Sequence, residues 1–243
     1  MKLLAIDSSG LVASAAIVED DIMRAEYTIN YKKTHSQTLL PMIDEIVKMT
    51  DTDLSTMDAI AVAGGPGSFT GLRIGSATAK GLGLALDKPL ISVPTVMGLA
   101  YNYQGSDQIL CPIMDARRRQ VYTGLYSFEE GRLVTFQEQC AVSIEELLDR
   151  IREVAELCGS HKQILFLGDG VPVHREYIDT HLSWKHSYAP AHLNGQRAGA
   201  LGVCAMELAK QGHMETAAEH RPDYLRLSQA ERERAERRKD ATC

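Results

Sequence analysis

The 243-residue sequence predicts an α/β fold with mixed sheets flanked by helices. Three observations predict it. Apolar periodicity switches repeatedly between the two-residue period of strands and the three-to-four-residue period of helices. The order "three strands, helix, strand, helix" occurs twice. Each copy opens on an apolar strand that ends in an aspartate, Asp7 in the first and Asp115 in the second. Strands interleaved with helices in this order define mixed sheets with helical cover.

The elements follow in chain order. Residues 2–6 are an apolar run stopped by the polar turn Asp7-Ser8-Ser9-Gly10. Residues 12–19 and 22–29 complete a three-strand meander. Over 36–49 the period changes, because Leu39, Leu40, Ile43, Ile46 and Val47 fall three and four apart on one helical face. Residues 58–63 form a strand that runs into Gly64-Gly65-Pro66-Gly67, and a helix is expected over 70–86, ended by Lys88-Pro89. A strand over 90–93 and a helix over 95–103 close the first copy. The second copy reads as strands over 108–114, 120–126 and 133–141. A helix follows with Ser143 as N-cap and Glu146 at the capping-box position. A strand over 164–167 then ends in Gly168-Asp169-Gly170, and a long apolar-faced helix spans 196–210. The expected domains are therefore 1–104 and 105–227, with a charged tail over 228–243.

Composition excludes several classes. At 44% hydrophobic and 24% charged residues, the chain reads as an ordinary globular protein. Its 26 basic against 32 acidic side chains give a net charge of −6, which argues against gripping nucleic acid over a broad surface. Five cysteines, Cys111, Cys140, Cys158, Cys204 and Cys243, include no C-x-x-C pair, so reduced thiols are expected rather than a disulfide framework or a zinc site. No apolar run approaches the ~20 residues of a membrane helix, and the opening residues lack the form of a signal peptide. A cytoplasmic location is the expectation.

Four motifs could carry chemistry. Asp7, Ser8 and Ser9 at a strand end, paired with Asp115, could face a Mg²⁺-bound phosphate; as a polar turn they would only satisfy local backbone groups. The block 64–71 could offer backbone N–H groups to an anion. It lacks the Gly-Lys-Ser/Thr of a P-loop, and its glycine spacing is one residue too long for a dinucleotide fingerprint. The plainer reading is a tight turn with Ser68 or Thr70 capping the next helix. In that helix Gly71, Gly75, Ala79 and Gly83 recur every four residues beside a second row, Ala77, Gly81 and Ala85. Interior glycine costs ~1 kcal/mol against alanine, so close approach of other backbone is expected. His35 lacks the second histidine of an H-x-x-x-H metal pair, since Leu39 stands at that place. Arg117-Arg118-Arg119 could clamp phosphates or sit on a solvated hairpin.

Longer stretches carry a resemblance. GGPGSFTGLRIG (64–75), LLAIDSSGLVASAAI from Leu3, HSQTLLPMI from His35, MDARRRQVYTGLY (114–126) and RPDYLR (221–226) together resemble the TsaB (YeaZ) family over about residues 1–227. The resemblance implies two ribonuclease-H-like halves of the actin-like, hsp70-like, sugar-kinase fold. It implies a part in making threonylcarbamoyladenosine at position 37 of tRNAs that read codons starting with A. In that pathway the paralogue TsaD transfers the group, while TsaB has lost the chemistry and serves as a scaffold. The implied partners are a TsaD-type transferase in a heterodimer, a TsaE-type ATPase that the pair helps recruit, and a second copy of the chain when alone. Contact with tRNA would be only indirect, and no membrane is involved. No cofactor would be required, although a degenerate cleft could retain ATP or ADP on Asp7, Ser8, Ser9 and Asp115.

Against the TsaD pattern, this chain has Leu39 in the metal helix and Gly168-Asp169-Gly170-Val171-Pro172 where TsaD grips adenosine. No catalytic or metal-binding residue is expected. The expected partner interface is the outer side of the helices over 36–49 and 70–86: His35, Leu39, Leu40, Ile43, Leu72, Arg73, Gly75, Ser76 and Ala79, with the small row Gly71/Gly75/Ala79 admitting the partner's helices. Other readings of the same residues are an ATP- and Mg-dependent transferase or kinase built on Asp7 and Asp115, a metallopeptidase, and a dinucleotide-dependent oxidoreductase.

Overall fold

Two five-stranded sheets with the same strand order organise the chain. The computed structural model describes residues 1–31, 33–158 and 162–225. The tail expected over 228–243 lies outside the described residues. Strands β1 (Lys2–Asp7), β2 (Ala13–Glu19), β3 (Ile22–Ile29), β4 (Ala59–Gly65) and β5 (Leu90–Pro94) form one sheet in the order β3-β2-β1-β4-β5. Strands β6 (Ile109–Asp115), β7 (Gln120–Glu129), β8 (Arg132–Ser143), β9 (Ile164–Leu167) and β10 (His186–Tyr188) form the other in the order β10-β9-β6-β7-β8. Read from its other edge, the second sheet repeats the first. In both, the opening strand pairs antiparallel with the next and parallel with the fourth. The twofold repetition of elements in the sequence is thus a repetition of topology.

Burial explains the sequence pattern of the central strands. Leu4 and Ile6 of β1 point into one core, Leu3 and Ala5 into another, and all four are fully buried. A strand covered on both faces reads as a continuous apolar run. Helices α1 (His35–Met49) and α2 (Phe69–Leu86) cover the outer face of the first sheet, over Leu4, Ile6, Ile17 and Ile60. Helices α4 (Ile144–Cys158) and α5 (Val171–His181) cover the outer face of the second, over Ile109, Val121 and Phe166. Helices α3 (Thr95–Ala100) and α6 (Ala198–Lys210) lie between the sheets, in a core shared by Leu3, Val93, Leu110, Tyr126 and Leu201.

The boundary expected at 104/105 does not divide this packing. Helix α6, placed by sequence in the second half, packs on β1, β2 and β5 of the first sheet. Its N-terminus is held there by side chains of that sheet. The Ala198 amide donates to Ser14 Oγ at 2.9 Å, and the Gly199 amide to Glu26 Oε1 at 2.8 Å. Glu26 also receives Arg197 Nε at 3.0 Å. These bonds satisfy otherwise orphaned helix N–H groups and set a carboxylate at the positive end of the helix dipole.

After α6 the chain returns further, as a strap along the edge of the first sheet. Leu90 and Glu215 exchange backbone bonds of 2.8 and 2.9 Å, Lys80 Nζ donates to the His220 carbonyl at 3.0 Å, and the Asp223 amide donates to the Gly64 carbonyl at 2.6 Å. Two elements were not legible. In α5 only Val171, His174 and Ile178 are buried, so a histidine carries part of the stripe that marks a helix. Strand β10 has three residues.

Leu201 sits at the centre of the inter-sheet core, 1% exposed. Leu201→Ala is expected to cost about 2–5 kcal/mol, read as a lower urea midpoint at unchanged slope. An unchanged midpoint would contradict the placement of α6.

Candidate functional site

The turn after β1 and the glycine-rich turn after β4 close on one another. Ser8 Oγ donates to the Gly71 carbonyl at 2.8 Å, and the Ser68 amide donates to the Ser9 carbonyl at 2.6 Å. Ser68 caps α2 by accepting the Gly71 amide at 3.3 Å. A Cβ on Gly71 would overlap the Ser8 carbonyl, and one on Gly75 would stand 2.6 Å from Ser8 Oγ. Gly65 has φ +120°, and a Cβ there would strike the Asp223 carbonyl of the returning strap. The glycines therefore serve close approach within the chain itself, and the capping turn is the reading of 64–71 that the geometry supports.

Asp7 is enclosed by this junction, 3% exposed. Its Oδ1 accepts the Ser9 amide at 2.9 Å and Ser9 Oγ at 2.6 Å. Burial raises its carboxyl pKa to about 6, against the lowering by the two Ser9 bonds and His35. His35 Nε2 lies 2.8 Å from the Gly10 carbonyl, so one imidazole nitrogen is committed to the same turn. Asp115, at the equivalent end of β6, is exposed instead. Its Oδ1 accepts the Arg117 amide at 2.9 Å, and its own amide donates to Asp169 Oδ1 at 3.1 Å. Asp169 is half-buried, and desolvation raises its carboxyl pKa. The two aspartates stand at matching topological positions, but no hydrogen bond or ion pair among the described residues links their surroundings. No group of three His, Cys, Asp or Glu there has the arrangement of a metal site, and no described helix is long and apolar enough to cross a membrane.

The expected partner interface needs correction. Leu39, Ile43, Leu72, Gly75, Ser76 and Ala79 are all buried inside the subunit. Ala79, at 0% exposure, packs with Ile6 and Val62, and Leu72 is 1% exposed. The row Gly71/Gly75/Ala79 faces the first sheet, where Ser8 occupies the space the glycines leave. His35 is half-buried, and only Leu40 and Arg73 of the expected set are exposed.

The outward side of the helices is a different set. Leu40 on α1 is 55% exposed and Leu84 on α2 is 69% exposed. Arg73 lies over the Phe69 ring at 4.7 Å, and Phe69 packs on Tyr224 of the strap at 4.9 Å. Ala77, Gly81 and Ala85, the second small row of the sequence, are exposed, and a Cβ on Gly81 would meet nothing within 4 Å among the described residues. Sequence reasoning missed Phe69, Leu84 and Tyr224; only Phe69 and Tyr224 fall within distinctive motifs.

The fold is a duplicated α/β architecture, two five-stranded mixed sheets of the same strand order with helical cover. In agreement, a structure of the ethanolamine utilization protein EutJ from Carboxydothermus hydrogenoformans superposes with TM-score 0.50 over 84% of this chain and 89% of that one, at 12% identity. A model of the family described as "TsaD: tRNA N6-adenosine threonylcarbamoyltransferase" matches residues 23–234. The tRNA threonylcarbamoyladenosine biosynthesis protein TsaB of Bacillus subtilis is 35% identical over 95% of this chain and 96% of its own. The TsaB of Escherichia coli is 34% identical over 64% of this chain and 68% of its own. A structure of YeaZ from Pseudomonas aeruginosa superposes with TM-score 0.75 at 26% identity, over 92% of this chain and 99% of that one. The chain belongs to the TsaB (YeaZ) family, within the reach of the TsaD family model.

Two outcomes follow from the junction. The raised pKa of Asp7 means that the folded state holds an extra proton between about pH 4 and pH 6, relative to the unfolded chain. Its share of stability is present below pH 4 and lost as pH rises through 6. Asp7→Asn, whose amide oxygen keeps both Ser9 bonds, should raise stability at pH 7.5 by about 1–3 kcal/mol and flatten the pH 4–6 slope. Identical denaturation curves for both proteins at pH 7.5 would contradict the burial argument. Gly75→Leu should fail to fold rather than merely lose a partner, because the side chain would enter the space of Ser8. A soluble variant with native melting would refute this.

Proposed function

We propose that the chain is a non-catalytic scaffold subunit for threonylcarbamoyladenosine formation at tRNA position 37. It pairs with a TsaD-type transferase through the outward side of α1 and α2, and the pair helps recruit a TsaE-type ATPase. The same side accounts for a homodimer in the absence of the transferase. A role in threonylcarbamoyladenosine biosynthesis is supported by the names of the curated relatives. Nucleotide is not required as a cofactor in this role.

One observation carries the reading. Gly81 stands on the exposed side of α2, where glycine costs ~1 kcal/mol against alanine, and nothing among the described residues uses the space it leaves. Beside it lie exposed Leu84 and Ala77, and α1 adds exposed Leu40. A glycine that lowers the stability of the free chain, set among exposed apolar side chains, fits a surface that a second polypeptide approaches closely.

The test uses two substitutions at one position. Gly81→Ala should raise the melting temperature of the isolated chain by about 2–4 °C. Gly81→Leu should melt at or above the wild-type temperature yet lose at least tenfold in affinity for the TsaD-type transferase, measured by calorimetry. Wild-type affinity in the folded Gly81→Leu protein would place the interface elsewhere.

A further inference from the structure

The arginine run of the second half is not used by the pairing just described. Arg117, Arg118 and Arg119 form the turn between β6 and β7, all exposed and all at positive φ, from 54° to 62°. They line a shallow pocket of about 450 Å³ with Asp115, His174 and Tyr177. Arg119 is occupied, paired with Glu145 and lying 5.0 Å over the Tyr177 ring. The guanidinium groups of Arg117 and Arg118 have no partner among the described residues. At the inner end of the pocket, His174 is 5% exposed and its Nε2 has no hydrogen-bond partner. That nitrogen stands 3.9 Å from Asp115 Oδ1, too far for a direct bond.

The two ends of the pocket ask for different chemistry. Two unpaired guanidinium groups at an open rim suit a phosphate, which arginine grips through its fork of donors. An imidazole Nε2 facing a carboxylate across 3.9 Å suits a group that accepts from one and donates to the other. A hydroxyl does both, as a carboxylate or phosphate oxygen does not. Phosphate and hydroxyl side by side are the repeating unit of an RNA backbone, and the 2′-hydroxyl is what separates it from DNA. The net charge of −6 excludes a broad nucleic-acid surface but not a local contact of this size.

We propose that this pocket is an RNA-backbone site, with a phosphodiester on Arg117 and Arg118 and a ribose 2′-hydroxyl between His174 Nε2 and Asp115. The choice of RNA rests on the tRNA-modification reading above. The proposal replaces the expectation that tRNA contact is only indirect.

The test uses the full chain without its partner. The 15N-labelled His174 imidazole is followed by NMR while tRNA is added at 50 mM salt. Its resonances should shift with tRNA and much less with DNA of the same sequence. The double variant Arg117→Ala/Arg118→Ala should bind tRNA at least fivefold more weakly, with the slope of log affinity against log salt reduced by about one to two. Four results would overturn the site: no tRNA-dependent shift at His174, equal response to DNA, full response to inorganic phosphate or ATP alone, or unchanged affinity in the double variant. Calorimetry of the same double variant with the TsaD-type transferase separates the two readings. Loss of tRNA binding with pairing intact supports the pocket whatever the fate of the scaffold reading, and wild-type tRNA binding with pairing intact refutes the pocket alone.

Discussion

The contact of α2 with the turn after β1 constrains everything around it. Ser8 sits where the side chains of residues 71 and 75 would otherwise be, and it donates to the Gly71 carbonyl at 2.8 Å. A helix drawn this close to its own sheet has its rotation fixed. The row Gly71/Gly75/Ala79 must face inward, and Arg73, Ala77, Gly81 and Leu84 must face out. The same contact shuts the turn around Asp7, whose carboxylate is buried and hydrogen-bonded within its own loop. One packing decision therefore both encloses the strand-end carboxylate and sets the surface presented to other molecules.

Much of the architecture was legible because burial on both faces leaves a strong mark. Runs such as LLAI and AIAVAGG can only be central strands, and their repetition revealed the duplicated topology. The limits were equally physical. Periodicity says which residues of a helix share a face, not which neighbour that face meets. Gly71, Gly75 and Ala79 were correctly seen as a close-approach row, but the approaching backbone is that of Ser8 in the same chain. The second row was visible as spacing alone, since nothing in a sequence separates exposed Gly81 from buried Gly75.

Long-range return of the chain was the other blind spot. Helix α6 and the strap belong to the second half by sequence and to the first by packing, through Glu26, Leu90 and Gly64. In the sequence, motif 221–226 carried only part of the family resemblance. Its described part works as a clamp: Asp223 bonds the glycine turn, and Tyr224 covers Phe69 at the start of α2. Contacts between residues so far apart in sequence, Asp223 with Gly64 and Tyr224 with Phe69, leave no local pattern to read.

Methyl NMR of the labelled chain, titrated with the TsaD-type transferase, tests the central claim most directly. The account predicts that the methyl signals of Leu40, Ala77 and Leu84 shift or broaden strongly, while that of exposed Val173 on α5 stays in place. Perturbation centred on Val173, with Leu84 and Ala77 unmoved, would contradict it.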